Sequence, residues 1–164
     1  MHFWFRCSRT PYHHPKTRFV AGFIGSPGMN FFPVHVGDDV VHLDNGQALE
    51  IPEARRRQYA RHRNTMMLLG MRPEHLTEAP RPGSALMTVA VDVVEPMGME
   101  TMVHFRLPAA KGAMGARYSG AGLSETLYTA RVMPETPAVA GETMDLEADM
   151  NQMHLIDPQS GLVV

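Results

Sequence analysis

Twelve residues, "KGAMGARYSGAG" from Lys111 to Gly122, hold the spacing in this chain that most suggests chemistry. Gly115 and Gly120 match the GxxxxG pattern whose backbone amides can surround a phosphate. A working phosphate loop then needs a lysine ammonium and a hydroxyl for magnesium, and the chain supplies Ala121 and Gly122 instead. The stretch therefore reads as an insertion between strands. Nine histidines raise the question of a metal, yet His13, His14, His35, His42, His62, His75, His104 and His154 form no HxxxH, HxH or cysteine-paired set. Ser119 sits in "YSG" without the G-x-S-x-G elbow that exposes a nucleophile. Glu95 and Glu100 flank a turn and read as structural carboxylates, because nothing in the sequence builds a cleft around them. No catalytic constellation emerges.

Composition narrows the classes further. Hydrophobic residues make up 44% of 164, enough for a real core, while no apolar run approaches the roughly 20 residues of a spanning helix. The opening "MHFWFRCSRTPYHH" is broken by Arg6 and Arg9 and has no continuous apolar region of the kind a secretory signal needs. Cys7 is the single cysteine, so no disulfide can close within the chain and a reducing compartment fits. A formal charge of -2 gives no bulk attraction to nucleic acid or to an anionic membrane.

The elements that would position any site are mostly strands. "RFVAGFIGSPG" reads as a helix of about two turns from Thr17 to Ile24, stopped by Gly25 and Pro27; it would leave Phe19, Val20, Phe23 and Ile24 in need of a body to pack on. If that face stays uncovered, self-association is expected. After Pro33 the pattern changes to short alternating runs between turn residues. Asp44-Asn45-Gly46 joins Val41 and Leu43 to Leu49 and Ile51 in one hairpin. A second places Leu86, Thr88, Ala90 and Val93 or Val94 before a Pro-Met-Gly turn, with Met102 and His104 alternating against Val103 and Phe105. "LYTARVMP", "ETMDLEAD" and "MHLIDPQSGLVV" continue the series, and strands at this spacing suggest a barrel. "EARRRQYARHRN" reads as a solvated arginine-rich connector, with a polar helix as the alternative. The 14 methionines, Met66, Met67, Met71, Met97, Met99 and Met102 among them, read as core filling ahead of an adaptable contact surface.

"RFVAGFIGSPGMNFF", "GMRPEHL" and "VVEPMGMETMVHFRL", in this order and separation, resemble the C-terminal part of the ATP-binding subunits of bacterial sugar-import ABC transporters of the maltose and glycerol-3-phosphate type. The closing "MHLIDPQSGLVV" is similar to that family's final segment. The resemblance runs from about residue 11 to 164, and Gly22, Gly25, Ser26, Pro27, Met29 and Asn30 carry its most specific motif. It implies a mainly all-β chain: residues 1–29 as a non-family start plus the closing helix of an ATPase domain, and residues 30–164 as an oligonucleotide/oligosaccharide-binding-like (OB-like) regulatory barrel of antiparallel strands. Met1 to Thr10 depart from the family pattern, as a truncated gene, a frameshift or a late start codon would produce, and a broken or mis-started frame is the favoured reading. The longer Lys111 to Gly122 segment is a second departure.

Walker A, signature and Walker B motifs do not occur in these 164 residues, so no ATP hydrolysis and no cofactor are expected of them; ATP and magnesium would belong to the family's ATPase domain. The resemblance implies homodimerisation through regulatory domains, importer membrane subunits reached through the ATPase domain, a possible regulatory protein, and residence at the cytoplasmic face of the bacterial plasma membrane. Arg72, Glu74 and His75, on a turn opened by Pro73, are the first candidates for a partner interface, followed by Gly98 and Glu100. Gly98 would serve its turn while Glu100 faces a partner. A stand-alone module for oxyanions or sugar phosphates is the alternative, and a nucleic-acid binder a weaker rival resting on the barrel type and the arginine run.

Overall fold

A computed structural model describes residues 16–18, 25–108 and 126–164. Apart from Thr17 and Arg18, the helix expected at 17–24 lies outside these residues, as does the glycine-rich 111–122.

Among the described residues, ten strands form two antiparallel five-stranded sheets around one apolar core. The first sheet contains β1 (Asn30–Val36), β2 (Val40–Leu43), β3 (Ala48–Glu50), β4 (Met66–Met71) and β10 (His154–Ile156), in the order β10-β4-β1-β2-β3. The second contains β5 (Leu76–Thr77), β6 (Ser84–Pro96), β7 (Thr101–Arg106), β8 (Tyr128–Val132) and β9 (Thr143–Asp149), in the order β5-β9-β6-β7-β8. Its edge strands β5 and β8 return to touch each other, so the sheet is rolled into a nearly closed barrel.

Alternation decides which residues enter the core. In β1 every second residue, Asn30, Phe32, Val34 and Val36, is buried. Both expected hairpins form: β2 and β3 pair Val41 with Leu49 across the Asp44 turn, and β6 pairs with β7 from Ala90–Arg106 to Pro96–Thr101. The inward face of β6 is Ala85, Met87, Val89 and Val91, and a bulge between Val91 and Val93 then resets the alternation. The row read from sequence, Leu86, Thr88 and Ala90, is the other face, with Leu86 largely exposed. Phe32 stacks on Tyr128 with ring centroids 4.1 Å apart, and Phe105 lies 5.7 Å from Tyr128, so three aromatic rings join the two sheets.

Two side-chain amides complete the union. The Thr129 N–H donates to Asn30 Oδ1 (2.9 Å) while Asn30 Nδ2 donates to the Thr129 carbonyl (2.8 Å). Gln47 treats Thr88 in the same way: Thr88 N–H donates to Oε1 at 2.7 Å and Nε2 donates to the Thr88 carbonyl at 2.9 Å. Each amide supplies the donor and acceptor that a neighbouring strand would have provided.

The arginine-rich stretch is a helix, α1 (Glu53–Tyr59), followed by a 3₁₀ turn at Ala60–His62. Glu53 in the first turn and Arg56 and Arg57 in the last suit the helix dipole. Tyr59 is buried and donates to the Met153 carbonyl, and Arg55 lies 5.5 Å from the Tyr59 ring centroid. Arg56 donates to the Ile51 carbonyl (2.9 Å) and pairs with Glu50 (2.9 Å) and Asp39 (3.5 Å). The solvated connector is thus replaced by a short helix that its own arginines fasten to the barrel.

Candidate functional site

Three segments converge on an open cleft of about 310 Å³. One wall is the turn after β4 together with β5, carrying Glu74, Thr77, Glu78 and Arg81; the other is the β6–β7 tip and the end of β8, carrying Met99, Glu100, Arg131 and Met133.

The first wall begins with a glycine. A Cβ at Gly70 would lie 2.7 Å from Met29 Sδ and 3.3 Å from Ile156 Cδ1, so a side chain there would require the Met29 side chain to move. Arg72 is extended (φ -78°, ψ 150°), Pro73 opens a 3₁₀ turn through His75, and the His75 N–H closes it on the Arg72 carbonyl at 2.9 Å. Arg72 is only 2% exposed, so its side chain is part of the interior and is not presented to a partner. Glu74 and His75 are half-buried, and only Glu74 lines the cleft. Burial holds the His75 imidazole below its ordinary pKa; the Glu74 and Asp149 carboxylates oppose that shift, while Arg72 and Arg81 add to it.

The second wall is a hairpin tip held by Met97 N–H donating to the Glu100 carbonyl at 2.8 Å. Gly98 has φ +90°, and a Cβ there would meet nothing within 4 Å, so the glycine serves the turn. Met99 is 92% exposed and Met133 66%. The methionines therefore divide: Met67, Met71 and Met102 fill the interior while Met66, Met97 and Met99 face outward. Glu100 pairs with Arg131 at 3.2 Å. Two similar pairs lie along the same strands, Asp92 with Arg106 at 2.8 Å and Glu95 with His104 at 3.1 Å. Glu95 and Glu100 are thus engaged by bases on β7 and β8.

The structure brings Glu74 and Glu100 to one cleft, places His75 and Gly98 beside its walls, and withdraws Arg72. Arg81, Arg131, Glu78 and Met133 were missed. Only the register of β7 with β8, which sets Met102 opposite Arg131, could have pointed to Arg131, and that register spans residues with no strand pattern. Three glutamates outnumber two arginines here, a poor setting for an oxyanion. Among the described residues no three His, Cys, Asp or Glu side chains gather as a metal would require, and no helix is long and apolar enough to cross a membrane.

Residues 25–76, from the chain's entry into β1 to the start of β5, match the family of the MalK OB fold domain. The sn-glycerol-3-phosphate import ATP-binding protein UgpC of Chromohalobacter salexigens is 41% identical over 112 residues, covering 67% of this chain and 29% of that protein. The sulfoquinovosyl glycerol transport ATP-binding protein SmoE of Agrobacterium fabrum is 31% identical over 146 residues, 89% of this chain and 36% of that protein. The maltose/maltodextrin import ATP-binding protein MalK of Salmonella typhimurium is 43% identical over 104 residues, 60% of this chain and 27% of that protein. The chain spans about a third of the length of the curated relatives it matches. Motif, barrel and relatives agree: the chain belongs to the MalK OB-fold family, and the relatives it matches are ATP-binding proteins of glycerol-3-phosphate import, sulfoquinovosyl glycerol transport and maltose/maltodextrin import.

Proposed function

We propose that this chain acts as the regulatory and dimerisation part of an ATP-binding subunit that drives import of a carbohydrate or glycerol phosphate. The observation that carries the reading is the match of residues 25–76 to the MalK OB fold, because that segment forms β1 to β4 and the Glu74 wall of the cleft. Nucleotide chemistry then lies in an ATPase domain, and this chain contributes contacts. A second copy is its first partner, meeting it across regulatory domains; the importer's membrane subunits follow through the ATPase domain, at the cytoplasmic membrane face. The cleft, with two exposed methionines and paired charges at its rim, suits a protein surface that engages and releases.

A chimera tests this. Residues 25–164 would replace the aligned region of the Chromohalobacter UgpC protein, and ATP hydrolysis, dimerisation and glycerol-3-phosphate uptake would be measured. Retained dimerisation and uptake support the reading. A chimera that folds and hydrolyses ATP but neither dimerises nor supports uptake defeats it. Glu74→Lys and Glu100→Lys in the same chimera are expected to weaken partner contact without unfolding the barrel.

A further inference from the structure

The first sheet continues past β10. On one side β10 pairs with β4; on the other, Ile156 bridges Val163, flanked by Asp157 N–H donating to the Leu162 carbonyl and Val164 N–H donating to the Leu155 carbonyl, both at 2.9 Å. The tail then offers its other edge to the segment that leads toward β1. Thr17 bridges Leu162, flanked by Arg18 N–H donating to the Gly161 carbonyl at 2.7 Å and Val163 N–H donating to the Lys16 carbonyl at 3.1 Å. Residues 161–164 therefore lie between β10 and residues 16–18, their backbone groups facing the two neighbours in alternation.

The tail is placed by its own turn and by one side chain of α1. The Asp157 carboxylate accepts from Gln159 N–H at 3.0 Å and from the Ser160 hydroxyl at 2.7 Å, while Gly161, at φ +68°, donates its N–H to the Asp157 carbonyl at 2.8 Å. Gln58 Nε2 donates to the Val164 carbonyl at 3.1 Å. Little apolar surface adds to these bonds. Leu155 and Ile156 are completely buried, whereas Leu162 is 51% exposed and Val163 and Val164 are half-buried. An element held by backbone bonds at a sheet margin opens at lower free energy than the core strands beside it. On the far side the Arg18 guanidinium lies 5.3 Å from the Phe31 ring centroid on β1, so the entering segment touches both the tail and the first strand of the barrel.

We propose that residues 157–164 are a releasable strap: docked, it holds Lys16–Arg18 at the margin of the first sheet; undocked, it frees that segment while both sheets stay folded. The strap is a property of this chain alone. Its use rests on the transport reading, under which Lys16–Arg18 lead into the closing helix of the ATPase domain and docking fixes how that domain sits against the barrel.

Amide hydrogen exchange of the full chain at neutral pH tests the strap. Arg18, Val163 and Val164 are expected to exchange together, at least about tenfold faster than the amides shared by β1 and β4. Val163→Pro removes the N–H that faces Lys16 and leaves the Leu162 carbonyl and Val164 N–H to β10. In it Arg18 protection should fall at least about tenfold while Val164 and the β1–β4 amides keep theirs. Ending the chain at Gln159 should abolish Arg18 protection and leave β1–β4 unchanged. The strap is overturned if Arg18 exchanges as slowly as the β1–β4 amides in wild type, if its protection survives in Val163→Pro, or if β1–β4 protection falls along with it. Its use is read in a UgpC chimera carrying residues 16–164, where Val163→Pro should keep ATP hydrolysis and cut uptake at least about fivefold. Unchanged uptake overturns the use. A chimera that takes up nothing with the strap intact defeats the transport reading and the use with it, and the exchange result still decides the strap.

Discussion

The Asn30 side-chain amide holds both backbone groups of Thr129, at 2.9 and 2.8 Å, across 99 residues of sequence. Two sheets that share no strand are thereby joined by a side chain that imitates one. Replacing Asn30 by Ala leaves a backbone donor and acceptor without this partner, so a loss of about 2–4 kcal/mol is expected in chemical denaturation. Asn30→Asp keeps the acceptor alone and should recover only part of it.

Gly98 separates backbone from packing. With φ +90° and open space around it, Gly98→Ala meets no neighbour, yet it should cost about 1 kcal/mol through the left-handed conformation alone. Thermal unfolding of Gly98→Ala beside wild type measures it. A neutral result would mean that the tip relaxes into another turn.

Acid should weaken the fold through His75. Its folded pKa lies below the ordinary value because burial disfavours the imidazolium. A depressed histidine is neutral in the native state and must be charged as pH falls, so its contribution is whole above the unfolded pKa of about 6.5 and is lost on acidification below it. The midpoint of urea unfolding should fall more steeply from pH 7 to 5 in wild type than in His75→Gln.

At the alkaline end the reporter is Tyr128. Burial first, and the Asp44 carboxylate second, push its phenol up to about 12. A raised tyrosine favours the neutral form in the folded state, so stability is complete below the unfolded value near 10 and declines as pH climbs toward 12. Burial also raises Asp44 itself, which therefore costs stability once ionised. Asp44→Asn should lower the Tyr128 pKa and leave neutral-pH stability unchanged or slightly higher, read by tyrosine ¹³C shifts and by denaturation.

The strands were legible because burial on one side imprints a period of two. Phe32, Val34 and Val36 show it, and so does the turn at Asp44. The inward face of β6 was less legible: Leu86 is apolar but exposed, and the bulge after Val91 interrupts the count. Helix α1 was hidden because its face holds one buried residue, Tyr59, and its support comes from acceptors outside it, Glu50 and Ile51 just ahead of it and Met153 far along the chain. Of the site, the turn at Pro73 and the turn at Gly98 were readable locally. That Glu74 and Glu100 share a cleft depends on the barrel's closure of β5 against β8, a relation between segments far apart that no local pattern encodes.

The position of β10 sets the order in which a ribosome can deliver this structure. Leu155 pairs with Leu69 at the edge of the first sheet, and Met153, Leu155 and Ile156 are completely buried. Until β10 has left the exit tunnel, β4 has an open edge and the core has an uncovered flank, although β1 to β4 are already made. Completion of the sheet must therefore wait for the synthesis of β10, and a nascent chain stalled before Met153 would present a sticky edge to chaperones and to other copies of itself.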